Sequence, residues 1–233
     1  MARFSFLDWP GPLAFAHQGA HAEGGPGENT MAAFKAAVAQ GYRYLETDAH
    51  ATSDGVLVAF RDDRLDRLTD RAGVIGKLPW AEVRAARVRG HDDIPLLEDL
   101  LTAWPDVRIN IDPKHDAAVE PLADLLERTG TVERVCTSMG PRQVGRLVAA
   151  SRGLPGGSFA AACVQVPVRQ GPVPLVTERF VAAAHDRGLP VHVWTINDAD
   201  EMNRLLDLGV DGIMTDRSDV LKSVLEERGD WVG

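Results

Sequence analysis

Cysteine is nearly missing from the chain, lysine is scarce, and no apolar run approaches the roughly 20 residues that span a bilayer. Stable membrane insertion is therefore not expected. The 233 residues include two cysteines, and four of the 25 basic residues are lysines: Lys35, Lys77, Lys114 and Lys222. Cys136 and Cys163 stand in apolar segments without C-x-x-C spacing, which argues against a zinc ribbon or a disulfide framework and predicts reduced core thiols. The net charge of −9 excludes broad contact with a nucleic-acid backbone, which needs a cationic surface. An anionic small molecule would need a local cationic site, so a lysine beside strand-end carboxylates carries weight. Near the N-terminus a short apolar stretch is interrupted by Asp8, Pro10 and Pro12, so no secretory leader is expected and the reading is cytoplasmic.

What is present is ordinary globular composition, 45% hydrophobic and 25% charged. The length suits one domain over 1–233, within the range of a (β/α)₈ barrel. Short apolar runs alternate with segments of helical period, the pattern of a parallel sheet with crossover helices. Strands are expected at Leu13–His17, Arg43–Asp48, Val107–Asp112, Arg134–Ser138, Cys163–Val166, Val191–Thr195 and Gly212–Thr215. Helices are expected around Thr30–Gln40, Leu96–Ala103, Ala117–Thr129, Pro141–Ser151, Thr177–Arg187, Asp198–Leu208 and Ser218–Arg228. In the first, Met31, Phe34 and Val38, flanked by Ala33 and Ala37, form one apolar stripe, and Gly41 supplies a stop. Val56–Phe60 follows Asp48 too closely for a crossover helix and predicts a rim hairpin around residues 49–62. Seven barrel strands are one short of closure, so the fold class is an α/β, TIM-type (β/α) barrel with one βα unit degenerate or missing between Ser138 and Cys163. A shortened barrel could expose an edge that a second copy covers, which leaves an oligomer open.

Polar residues gather where strands end, the functional rim of such barrels. Glu46 and Asp48, two apart in a strand, point to one face, and Asp112 arrives from the next strand. Converging carboxylates repel unless a cation sits among them, and oxygen ligands suit Mg²⁺ or Ca²⁺. The alternative is simple pairing of these acids with Arg or Lys at the barrel top. Lys114, in phase with Asp112, can neutralise the site or hold a phosphate oxygen. His17, Gln165 and Trp194 are further strand-end residues. Gln165 is read as a substrate contact, and Trp194 as either a pocket wall or a core residue.

With these residues in place, the chain resembles the glycerophosphodiester phosphodiesterase family along most of its length. The resemblance is carried by AHQGAHAEGGPGENT, by YLETDAHATSDGVLVAFRDDRLDRLTDRAG, by NIDPK and by VHVWTIN…LLDLGVDGIMTD. It implies a (β/α)₈ barrel and metal-dependent hydrolysis of glycerophosphodiesters to glycerol 3-phosphate and an alcohol. It also implies that Glu46, Asp48 and Asp112 are metal ligands, that Lys114 contacts the substrate phosphate, and that His17 is one of two acid/base histidines. Three positions depart from the family. Asp112 stands where glutamate is usual. The His-Arg-Gly motif reads His17-Gln18-Gly19, and the His-Asp motif reads Arg61-Asp62.

Arginine stays protonated at working pH and cannot shuttle a proton, so Arg61 is read as a phosphate clamp or a surface hairpin residue. His50, in phase with Asp48, could replace the absent histidine or cap a loop. Three functions follow for a small phosphorylated ligand. The first is a divergent phosphodiesterase acting on a glycerophosphodiester or lysophospholipid-like substrate. The second is a metal-dependent lyase or cyclase expelling phosphate or diphosphate, as from a prenyl diphosphate. The third is an inactive binder.

Overall fold

The computed structural model describes residues 4–21, 25–137 and 161–233. The chain forms two compact units, Ala16–Thr137 and Met1–Phe15 with Ser138–Gly233. The strand β1 (Leu13–His17) runs into the first of these. It is followed by α1 (Met31–Ala39), β2 (Tyr44–Ala51), β3 (Leu57–Ala59), α2 (Trp80–Val83), β4 (Arg87–Val88), β5 (Asp92–Asp93), α3 (Leu97–Ala103), β6 (Arg108–Pro113), α4 (Val119–Thr129) and β7 (Val135–Thr137).

The sheet order here is β7-β6-β2-β1. β2 and β6 are parallel, with Glu46 opposite Asn110 and Asp48 opposite Asp112. β2 is buried at every position but its last, as a central parallel strand covered on both faces must be. Its polar residues therefore enter the protein interior and need partners there. The expected hairpin is present: β3 pairs antiparallel with β2, placing Ala49 opposite Ala59 and His50 opposite Val58. Beyond β3 the pattern predicts no element before Leu96, yet residues 58–94 build a core of their own. Phe60, Leu65, Ile75, Val83, Val88 and Ile94 are buried together, with Leu68, Leu78 and Trp80 packed against them. Its elements run for two to four residues, too short for periodicity to register.

α1 starts where Thr30 Oγ1 accepts the Ala33 N–H at 3.2 Å, a side-chain N-cap. Ala33, Phe34 and Ala37 are buried, while Met31 and Val38 are only partly so. The turn from β1 needs Gly19: its φ is +85°, and a Cβ there would lie 2.7 Å from the carbonyl carbon of Ala33.

The second unit contains β8 (Val164–Pro167), β9 (Arg169–Gln170), β10 (Val173–Pro174), α5 (Glu178–His185), β11 (Val191–Trp194), α6 (Ala199–Asp207), β12 (Gly212–Thr215) and α7 (Ser218–Arg228). β12, β11 and β8 are neighbours in that order and parallel. Thr177 caps α5 and Asp198 caps α6 through their side chains. The Asp211 carboxylate accepts the Val191 N–H at 2.7 Å and lies 2.8 Å from His185 Nε2, tying the entrances of two strands together. Gly212 lies against a buried imidazole, since a Cβ there would stand 2.9 Å from His192 Cδ2.

The helix expected over Pro141–Ser151 and the unit expected to be degenerate before Cys163 fall on residues 138–160, outside the described residues. One core assignment needs correction. Cys163 is buried, but Cys136 is only half-buried, because it lies on β7, the last strand in this order.

Candidate active site

The C-terminal half of β2 and the end of β6 bring a group of ionisable side chains together in the first unit. Asp48 is 2% exposed and fully engaged. Its Oδ2 accepts the Gln18 amide at 2.5 Å and the Asn29 amide at 3.0 Å. Its Oδ1 lies 2.5 Å from the Lys114 ammonium, which also bonds Asp112 Oδ2 at 2.7 Å. The register explains the shared lysine, for Asp48 and Asp112 are direct neighbours and Lys114 stands two residues beyond Asp112. Burial pulls the Lys114 ammonium down, but Asp48 and Asp112 outweigh it and hold it above its ordinary value.

Glu46 is different. It is 5% exposed, its Oε2 has no hydrogen-bond partner among the described residues, and the nearest imidazole nitrogen, His17 Nε2, lies 3.7 Å away. Burial pushes its carboxyl up to about 8; His17 and Lys114 act downward, and Asp48 and Asp112 add to the rise. A buried carboxylate oxygen without a donor suits a cation better than it suits the interior alone. Glu46, Asp48 and Asp112 thus come to one end of β2 and β6, as the sequence predicts, but Asp48 and Asp112 share Lys114. In this structure the cation between Asp48 and Asp112 is the Lys114 ammonium.

Residues outside the predicted set shape this group. Gln18 and Asn29 both adopt positive φ, 56° and 57°. The Asn29 N–H donates to the Gln18 carbonyl at 2.9 Å, and Asn29 Oδ1 accepts the Thr47 hydroxyl at 2.7 Å. The amide at position 18 thus binds the carboxylate instead of offering a charge. The G-E-N-T motif was the available signal for Asn29, since a non-glycine residue in the left-handed region is uncommon and asparagine is favoured there.

His50 is buried, with Nε2 at 3.1 Å from the Arg61 carbonyl, and its ring centroid lies 5.3 Å from that of His115. Burial lowers its pKa, with the Arg61 carbonyl opposing and His115 adding to the drop. Arg61 presents an exposed side chain. In the other unit, Gln165 is buried with Nε2 at 3.5 Å from His192 Nδ1, and Trp194 is 43% exposed at the end of β11, which makes it no core residue. A groove of about 720 Å³ in the first unit is lined by Met31, Trp80, Arg84 and His91 among others, but by none of Glu46, Asp48, Asp112 or Lys114. Its own carboxylates, Asp92, Asp93 and Asp99, belong to a separate group.

The chain is similar to proteins of one family. The profile of the glycerophosphoryl diester phosphodiesterase family matches residues 17–144 and 130–220. A protein of Mycobacterium tuberculosis named "Probable glycerophosphodiester phosphodiesterase 2" is 40% identical, covering 98% of this chain and 96% of its own length. A human lysophospholipase D is 27% identical over 87% of this chain and 84% of its own. Among solved structures, a glycerophosphodiester phosphodiesterase of Agrobacterium tumefaciens superposes with a TM-score of 0.73 at 23% identity, covering 92% and 99% of the two chains. A phosphodiesterase of Oleispira antarctica, solved with sn-glycerol-3-phosphate as its product, gives 0.73 at 20% identity, covering 93% and 97%. No helix among the described residues is long and apolar enough to cross a membrane. With the profile spanning β1 to β12 and a relative at 40% identity over nearly the whole length, the chain belongs to the glycerophosphoryl diester phosphodiesterase family, a phosphodiesterase on an α/β barrel of the TIM type.

Proposed function

We propose that the chain hydrolyses a glycerophosphodiester or a lysophospholipid-like diester, using a divalent cation, Mg²⁺ or Ca²⁺, held by Glu46, Asp48 and Asp112. The observation that carries this reading is the buried Oε2 of Glu46, which has no donor among the described residues and lies beside two further carboxylates. When bound, the cation supplies Lewis-acid stabilisation of charge on the phosphoryl oxygens. The chain's own residues do the rest. Gln18 and Asn29 grip Asp48 Oδ2 and stop the carboxylate from rotating. Lys114, partly exposed, is the phosphate contact. His17, whose Nε2 is adjacent to Glu46, exchanges the proton with the reacting oxygens.

Arg61 occupies the position where relatives carry a second histidine. Its guanidinium contributes a fixed positive charge to phosphate binding and no proton transfer. His50 takes the second imidazole's part through Nδ1, since its Nε2 is bound to the Arg61 carbonyl. Low cysteine content supports a cytoplasmic setting.

The decisive assay is release of glycerol 3-phosphate from glycerophosphocholine. Turnover is expected with Mg²⁺ or Ca²⁺, is lost on chelation and restored by added metal, and is abolished in Glu46→Ala. Phosphate or diphosphate release from a prenyl diphosphate, with no diester activity, would replace this reading with a lyase. Calorimetric binding of a phosphate ester without turnover would replace it with an inactive binder.

A further inference from the structure

We propose that Arg67, in the segment that follows β3, is a positioning residue for the phosphodiesterase reaction. Its guanidinium clamps two active-site loops together. The Nε donates to Asp62 Oδ2 at 2.6 Å, and Nη2 donates both to Asp62 Oδ1 at 3.1 Å and to Glu28 Oε1 at 2.8 Å. The two carboxylates belong to different loops. Glu28 immediately precedes Asn29, whose amide holds Asp48. Asp62 immediately follows Arg61, whose carbonyl holds His50.

The clamp therefore acts on the site from both sides through the backbone. Asn29 sits at φ 57°, a region uncommon for non-glycine residues but accessible to asparagine, so its neighbours fix where the amide points. Glu28 on one side and the Thr30 cap on the other add to the bonds that Asn29 makes with the Gln18 carbonyl and the Thr47 hydroxyl. The Glu28 side chain is only 12% exposed and Asp62 27% exposed, although Arg67 is 51% exposed. Arg67 itself is held by its neighbours: Leu65 is buried in the small core described above and Leu68 packs on it. A planar guanidinium can serve a bidentate and a monodentate carboxylate at once, which a lysine ammonium cannot reproduce with the same geometry.

The inference rests on the proposed diester hydrolysis, and the experiment separates the two. Wild type, Arg67→Lys, Asn29→Ala and the double variant are compared on glycerophosphocholine with Mg²⁺. Arg67→Lys is expected to lower kcat by roughly 10- to 100-fold, the range for a displaced catalytic group, with a smaller change in KM and little change in Tm. Because one arm of the clamp works through Asn29, Arg67→Lys is expected to cost less in the Asn29→Ala background than in wild type, the remaining loss being that of the Asp62 arm. Arg67→Gln tests the same point without the charge. Unchanged kcat in Arg67→Lys and Arg67→Gln, or losses that simply multiply with Asn29→Ala, would overturn the proposal. A wild-type enzyme inactive on the diester would instead count against the hydrolytic reading.

Discussion

Glu46 in β2 and His192 in β11 are both almost sealed from water, and both have a ring or carboxyl atom without a hydrogen-bond partner among the described residues. Their surroundings differ. Glu46 lies among Asp48, Asp112, Lys114 and His17, whereas His192 has a neutral amide at 3.5 Å and the ring of Phe15 at 5.1 Å, with Asp211 as the charge acting on it. Burial favours the uncharged form of each, so it pushes the glutamate up to about 8 and the histidine down to about 4. The histidine is neutral at physiological pH without help and can remain a packing residue. The glutamate stands beside groups whose charges make its own ionisation useful. A buried titratable group is thus a stronger functional candidate when several charges converge on it, as at Glu46, than when one does, as at His192.

That contrast can be broken most severely at Asp48. Asp48→Ala leaves Lys114, Gln18 and Asn29 without their shared partner and removes a carboxylate from the proposed cation site. Activity is expected to fall at least about 100-fold, with divalent-cation affinity by calorimetry falling at least 10- to 100-fold. Unchanged cation affinity would remove Asp48 from the site. A smaller effect is expected from Glu46→Gln in chelator. The folded-state pKa lies above the ordinary 4.5, so Glu46 contributes full stability below about 4.5, and that contribution is lost as pH rises through about 8. The amide has no proton to lose, so Tm of the variant should exceed that of wild type at pH 8 to 9, and by more than it does at pH 5. Saturating Mg²⁺ should shrink or reverse the difference.

The smallest effect belongs to His192→Leu. The folded value near 4 lies below the ordinary 6.5, so the unfolded chain binds this proton more readily. Stability is full above about pH 6.5 and is lost as pH falls through about 4, by on the order of 3 kcal/mol in all. Thermal unfolding of the variant between pH 7 and 4 should show a shallower acid decline than wild type, with activity on glycerophosphocholine at neutral pH retained. A decline as steep as that of wild type would mean that other groups govern the acid limb.

The strands and helices of regular length were legible because their apolar period is visible. Leu13–His17, Gly212–Thr215 and Ser218–Arg228 coincide with the elements found, and the antiparallel hairpin after Asp48 followed from the short spacing and its Ser53-Asp54-Gly55 turn. The acidic residues were legible because period 2 puts Glu46 and Asp48 on one face. What surrounds them was not. Gln18 and Asn29 reach Asp48 through left-handed backbone positions, and no side-chain periodicity signals those. Arg67 meets Glu28 across 39 positions of sequence, a contact that depends on how the segment after β3 folds back.

The small apolar core around Leu65, Ile75 and Val88 has a consequence for how the enzyme would fail on heating. Apart from Val58 of β3 its members lie in short loops and turns of residues 60–94, and such irregular segments open at lower free-energy cost than central strands. Trimming Leu65 or Ile75 should let this segment melt locally while the parallel strands remain folded. Turnover would then fade some degrees before the main unfolding transition.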